Sequence, residues 1–237
     1  MSSMADQLTL GVQLKDNASF ANFYPAGNQE ALQGLMKLAR QSAPGFIFLW
    51  GGEGSGKSHL LQALCHEAGS AGGATVYLPL KKAADLSCEI LSGLEAMSLV
   101  CLDDVGSIVG SAEWEEAIFH LYNRIQMQGG RLVVTAHAPP LSLGLCLADL
   151  ASRLAHGLIY HLQCLDDEQK GYALQQRATF RGFALPEEVL SYLLKRSPRN
   201  MSTLFELFDR LDQASLAAKR KLTIPFVRSF LEKERQA

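Results

Sequence analysis

Lys57 and Ser58 follow a run of glycines, Gly51, Gly52, Gly54 and Gly56, interrupted only by Glu53 and Ser55. The spacing of Gly51, Gly56, Lys57 and Ser58 fits G-x-x-x-x-G-K-[ST]. Those residue types suit one task, the cradling of a phosphate chain. Glycines let successive backbone N–H groups turn inward around phosphate oxygens. A helix beginning at the end of the loop, with His59 in its first turn, adds orphan N–H donors and a positive dipole end. The Lys57 ammonium suits the outer phosphates, and the Ser58 hydroxyl suits a Mg²⁺ ion.

Two other stretches end in groups that could serve the same chemistry. Leu99 to Leu102 is apolar and runs into Asp103 and Asp104. That is the form of a buried parallel strand whose C-terminal end faces a ligand crevice. Asp103 would join the Mg²⁺ shell, and Asp104 would polarise or orient an attacking water. Arg131 to His137 is a further strand with a polar tip. Thr135 there reads either as a contact to the terminal phosphate or the water, or as a hydroxyl bonded within its own strand end. None of the six histidines has the spacing of a metal site, and all read as non-ligands.

The elements that must position these groups are legible around them. Phe46 to Trp50 is a short apolar strand ahead of the glycine loop, and helical composition resumes at His59. Thr75 to Leu80 reads as a strand. Asp85 to Gly93 predicts a helix, with Ile90 and Leu91 apolar. Ser111 predicts a helix cap, with Glu113, Glu115 and Glu116 in an acidic first turn. Ala117, Ile118, Leu121, Tyr122 and Ile125 continue that helix until Gly129-Gly130. Pro139-Pro140 breaks the chain, Leu150 to Leu154 is a short amphipathic segment, and Leu158 to Leu162 is the last strand. About five strands joined by helices predict a three-layer α/β domain with a parallel sheet. From Asp166 onward no strand pattern remains. Helices open at Asp167, at Leu185-Pro186, at Ser197-Pro198 and at Thr223, which predicts a small all-helical domain. The expected division is a tail over 1–16, the α/β domain over 17–165 and the helical domain over 166–237.

Ahead of the first helix, which opens at Asn28, lies an aromatic cluster. Phe20 and Phe23 read either as a staple to the core or as the wall of a base site. The tail carries Gln7, Leu8, Thr9 and Leu10. That is either a plain terminus or edge strand, or a linear motif with one residue for a pocket and two for a groove on a partner.

Composition bounds the reading. At 237 residues with 48% hydrophobic and 19% charged side chains, the chain can bury a substantial core. A net charge of −2 advertises no broad basic field for nucleic acid. Five scattered cysteines without a C-x-x-C pair point to a reducing compartment, and no apolar run or leader suggests a membrane, so the expected location is the cytoplasm.

A phosphate-loop α/β domain followed by four helices resembles the AAA+ ATPases. Phe20-Ala21-Asn22-Phe23, Leu102-Asp103-Asp104 and the helical lid resemble the ATPase region of the DnaA family of bacterial initiators. Gln7 to Leu10, Leu150-Ala151-Ser152-Arg153-Leu154 and Arg220 to Val227 resemble the Hda-type regulators within that family. The resemblance implies a regulator of replication initiation that acts with the sliding clamp to promote hydrolysis of the ATP held by DnaA. Gln7, Leu8 and Leu10 would bind the clamp. Arg153 would be an arginine finger completing the site of a neighbouring AAA+ domain, in DnaA or in a homo-oligomer. The chain ends soon after its last helical pattern, so the helix-turn-helix domain that initiators use for double-stranded DNA is not expected. Ser202 stands where the family has its lid arginine, with Arg199 about one turn earlier, and His137 stands near its strand-tip acid. A site with those departures is expected to hold ADP rather than turn over ATP. The alternative within the superfamily is a helicase loader or transposition-type ATPase working on single-stranded DNA.

Overall fold

A computed structural model describes residues 18–40, 43–83, 87–196, 201–218 and 221–234. Five strands form one sheet: β1 Gly45–Gly51, β2 Thr75–Pro79, β3 Leu99–Asp103, β4 Arg131–Ala136 and β5 Leu158–Leu162. All neighbours are parallel, in the order β2-β3-β4-β1-β5. Parallel neighbours require crossovers, and helices supply most of them. α1 spans Gln29–Arg40, α2 Lys57–Ser70, α3 Leu80–Ala83, α4 Ala112–Gln128 and α5 Ala148–Leu154.

Alternation along β1 assigns the layers. Phe46 and Phe48 point to one face, where they pack with Ile118, Tyr122, Leu150 and Leu154 of α4 and α5. Ile47 and Leu49 point to the other, against Leu35 of α1 and Leu60, Leu61 and Leu64 of α2. Both faces of the strand are therefore buried, as its unbroken apolar run requires. A third core belongs to four helices after the sheet: α6 Asp167–Phe180, α7 Glu187–Arg196, α8 Met201–Ala218 and α9 Ile224–Glu234. Asp166 caps α6, accepting the Gln169 N–H at 2.8 Å, while the Gln169 side chain accepts the Asp166 N–H at 3.0 Å. The expected three-layer α/β fold with a helical lid is thus present. Among the described residues no helix is long and apolar enough to cross a membrane.

Two local expectations differ from the structure. The described part of the segment expected as a helix over Asp85–Gly93 is a 3-10 turn, Cys88–Leu91, followed by a second at Leu94–Ala96. Gly93 at φ +81° separates the two turns, and the Ser87 hydroxyl accepts the Glu89 N–H, so local bonds satisfy the backbone without an α-helix. At the start of α4, the Ser111 side chain makes no cap bond. Glu115 lies in the acidic first turn as expected but is completely buried, and it accepts the backbone N–H of Gly110 at 2.9 Å and of Leu147 at 2.7 Å.

Arg131 is the polar anchor below the sheet. It is 8% exposed, and its guanidinium donates to the carbonyls of Ser98 (2.9 Å), Leu38 (2.8 Å) and Ala39 (3.3 Å). It thereby ties α1, β3 and β4 together at the end remote from the glycine loop. Methionine there keeps the volume and strands these buried acceptors. Arg131→Met is expected to lower the unfolding free energy by about 3 kcal/mol, read from denaturant titration.

Candidate functional site

The strand order brings three distant stretches to one edge. β3, β4 and β1 lie side by side, so the loop after Gly51, the carboxylates at Asp103 and Asp104, and Thr135 all emerge at C-terminal strand ends. The loop turns on Gly54 (φ +78°) and Gly56 (φ +93°) and enters α2 at Lys57. A Cβ on Gly56 would stand 2.7 Å from the Phe23 ring, and a Cβ on Gly51 would collide with the Leu162 carbonyl. Glycine is therefore demanded at both positions. Lys57 Nζ donates to the carbonyls of Gly51 (2.7 Å) and Gly52 (2.8 Å) and approaches Ser55 Oγ at 3.4 Å. Burial lowers its pKa, opposed by the carboxylates of Asp103 and Asp104. A cation held at a glycine loop that leads into a helix N-terminus suits a phosphate.

A cavity of about 490 Å³ opens from this loop toward the helical domain. Gly54, Ser55, Gly56, Lys57, Ser58 and His59 line its loop end, while Gly51, Gly52 and Glu53 do not line it. Its far wall comes from Ala173 and Arg177 of α6 and from Met201, Phe205 and Asp209 of α8. Phe23 and Tyr24 line the side. Phe23 stacks on His59 with ring centroids 5.9 Å apart, and His59 Nε2 lies 3.0 Å from the Ser19 carbonyl. Phe20 packs against the α1–α2 core and does not reach the cavity. The volume fits a nucleotide, as does a lining that sets the aromatic faces of Phe23, Tyr24 and Phe205 apart from the polar loop at Ser55–Ser58.

Beside the loop, a chain of short hydrogen bonds holds the carboxylates. Thr135 Oγ1 donates to Asp103 Oδ1 at 2.6 Å, and Tyr77 donates its phenolic proton to Asp103 Oδ2 at 2.7 Å. The Asp104 N–H donates to Thr135 Oγ1 at 2.8 Å. Burial, and then the Asp103 charge, pushes the Tyr77 phenol far above its ordinary pKa, so it remains a donor. Asp104 sits in the left-handed region at φ 62°, ψ 64°, which is unfavourable for a residue with a Cβ. The Thr135 bond on one side and the Ser107 N–H and hydroxyl on its carbonyl hold it there.

This geometry bears on two of the expected roles. Thr135 is completely buried and its hydroxyl is committed to the carboxylate strand, so it positions Asp103 and Asp104 and does not face a phosphate. Asp103 has a hydroxyl on each oxygen, and Tyr77, not Asp103, lines the cavity. Ser58 also lines the cavity, and its side chain is hydrogen-bonded to the Tyr77 phenol. Tyr77 thus links Ser58 to Asp103, the two residues expected in the Mg²⁺ shell.

Arg153 lies away from the cavity, exposed in the last turn of α5. It has no hydrogen bond or ion pair among the described residues. Its charge is felt by the Tyr122 phenol, where it opposes the upward shift caused by burial. Gln7, Leu8, Leu10 and Arg199 lie outside the described residues, and so does the side chain of Ser202, whose backbone belongs to the first turn of α8. Several lining residues escape sequence reasoning, notably Tyr77, Asn28 and Arg177. Asn28 is 3% exposed and exchanges two bonds with the backbone of Gln163, joining the entry of α1 to the end of β5. Arg177 forms a bidentate pair with Asp209 and lies 4.8 Å over the Phe205 ring. The available signal was a buried polar tip in need of a partner, and the partner is remote in sequence each time.

Comparison with known proteins agrees with both halves of the chain. The family model described as the bacterial DnaA ATPase domain matches residues 14–161, and that described as the Hda lid domain matches residues 167–231. Domain III of the replication initiation protein DnaA from Thermotoga maritima is similar in structure, with a TM-score of 0.77 and 21% identity over 94% of this chain and 98% of that one. AMPPCP-bound DnaA from Aquifex aeolicus is similar with a TM-score of 0.72 and 21% identity over 95% of this chain and 72% of that one. The Holliday junction branch migration motor RuvB from Thermotoga maritima is similar with a TM-score of 0.62 and 14% identity over 86% of this chain and 67% of that one.

The Thr135 hydroxyl offers a direct check on the carboxylate chain. Thr135→Val keeps the shape and leaves both Asp103 Oδ1 and the Asp104 N–H without their partner. It is expected to cost about 2 kcal/mol of stability, measured by denaturant unfolding.

Proposed function

The chain belongs to the family of the bacterial DnaA ATPase domain, and on that premise we propose that it is a nucleotide-holding regulator of replication initiation. In this reading it binds ADP in its own cavity, docks on the sliding clamp through Gln7, Leu8 and Leu10, and supplies Arg153 to the ATP held by DnaA. The helical domain matched by the Hda lid model supports the regulatory branch of the family over an initiator. The observation that carries the reading is the state of Arg153. An exposed arginine at the end of a helix anchored by completely buried Leu150 and Leu154 is a firmly mounted cation with no partner among the described residues.

The chemistry follows from that mounting. In the partner's site, charge accumulates on the oxygens of the transferring phosphoryl group, and a guanidinium delivered there stabilises it without itself reacting. Nothing in this step requires turnover at Lys57. The cis site has a different duty. Its ligand spans the loop at Gly54–Ser58 and the wall formed by α6 and α8, so it joins the sheet domain to the lid. An adenine nucleotide suits the cavity, since the similar DnaA structure holds AMPPCP. A diphosphate is favoured because Thr135 faces away and the family's lid arginine is replaced by Ser202. Phe23, Tyr24 and Phe205 offer apolar faces for the base, while Lys57 and the loop N–H groups take the phosphates.

The test is a clamp-dependent assay of ATP hydrolysis by DnaA with purified variants of the full chain. Arg153→Ala is expected to bind ADP normally and to lose stimulation by roughly 10³-fold. Deleting residues 1–12 is expected to remove clamp dependence and leave ADP binding intact. Lys57→Ala is expected to lose ADP and, with it, stimulation. Normal stimulation by Arg153→Ala overturns the mechanism, and robust turnover driven by single-stranded DNA would assign the chain to the loader or transposition class instead.

A further inference from the structure

Glu115 has no evident reason to be charged and buried. It is completely excluded from solvent on α4, and its only partners among the described residues are two backbone N–H groups. Burying an ionic group costs more than burying an apolar one of the same size unless its bonds are needed. The two donors belong to different segments. Gly110 closes the turn that follows Asp104, and Leu147 is the residue on which α5 begins.

That second contact falls where α5 needs it. α5 has seven residues, too few to hold a helix or an orientation on its own. Leu147 offers no side-chain cap. The approach to it from β4 is irregular, a 3-10 turn at Pro140–Ser142 followed by Gly144 at φ +78°. Burial of Leu150 and Leu154 turns the correct face of α5 toward the core, but apolar contacts resist sliding along the axis only weakly. A bond to the first N–H resists it directly. At the other end, Gly157 is pressed on Phe46, whose ring meets Tyr122 edge-on, and Tyr122 lies on α4 two turns beyond Glu115. The start of α5 is thus bonded to α4, the chain just beyond its end is held on β1 by way of a ring that α4 packs against, and Arg153 lies between these two points.

We propose that Glu115 is a positioning residue for Arg153: its buried carboxylate pins the start of α5 and the turn after Asp104 to one point, and so sets where the guanidinium stands when a partner's nucleotide is presented. The role rests on the assignment of Arg153 as a finger acting in trans. A group that must meet a transition state tolerates little displacement, since about 1 Å of misplacement can cost on the order of a hundredfold in rate.

The experiment uses the full chain in the clamp-dependent hydrolysis assay, with Glu115→Gln, Arg153→Ala and the double variant, and with binding of a fluorescent ADP analogue measured in parallel. Glutamine keeps the shape but turns an NH2 group on one of the two donors. Glu115→Gln is expected to bind the analogue like the unaltered chain and to speed amide exchange at Leu147–Ala155. It is expected to lower the maximal stimulated rate by on the order of tenfold, with the half-saturating concentration unchanged. The double variant is expected to lose no more than Arg153→Ala alone. Leu147→Pro supplies an independent arm. It deletes one N–H at φ −85°, close to proline's own angle, leaves the Gly110 bond, and is expected to give the same loss of rate. Full stimulation by either variant, or losses that multiply in the double variant, overturns the positioning role. If Arg153→Ala itself stimulates fully, the trans assignment fails first, and that result is distinct from a failure confined to Glu115.

Discussion

The structure depends on β1 being wedged between β4 and β5 with helices on both faces. A parallel strand in that position has its backbone bonded on each edge and its side chains dry on each face. Its C-terminal end is then the one place where the chain must leave the sheet abruptly. It does so through Gly51, which lies against the Leu162 carbonyl, and the loop then turns on Gly54 and Gly56 into α2. The same parallel arrangement puts the ends of β3 and β4 at that edge. Phosphate loop, carboxylates and threonine meet there because of strand order, although Gly51 and Thr135 are far apart along the chain.

Polar burial does the remaining positioning, and in each case a single side chain joins segments that apolar packing alone would leave free to slide. Arg131 gathers carbonyls at the lower end of the sheet, Thr135 joins the tips of β3 and β4, Asn28 joins α1 to the end of β5, and Glu115 joins α4 to α5. Each satisfies backbone or carboxylate groups that would otherwise be buried without partners. The charged and hydroxylic residues inside this protein are therefore geometric devices. The residues offered for chemistry, Lys57, Ser58 and Arg153, keep a face toward the cavity or solvent.

Two sites with different demands follow from this division. The cavity between the glycine loop and the lid is built from both domains, so whatever fills it also joins them. Arg153 is mounted on the sheet domain, outside the cavity, on a short helix fixed by a longer one. Arg153 does not line the cavity, so what the cavity holds can bear on the arginine only through the sheet domain that carries both.

Local chemistry made much of this readable in advance. The glycine spacing, the apolar run of β1, the paired carboxylates after Leu102 and the capping pattern of the last four helices are dictated within a few residues of where they occur. The sequence by itself therefore determined the layers, the phosphate loop and the helical lid. It misread Asp85–Gly93 as a helix because two adjacent apolar residues do not reveal whether the turn around them is α or 3-10. It left Thr135 open between a phosphate contact and a bond at its own strand end, because a side chain's type does not say who its neighbour is. Only the tertiary structure decided that Tyr77 stands between Asp103 and the cavity, that Glu115 is inside, and that Arg153 is left unpaired among the described residues. For Tyr77 and Glu115 the physical reason is the same. A buried polar group is committed by the nearest partner of opposite hydrogen-bonding character, and that partner comes from another strand or helix whose approach is set by packing of the whole sheet.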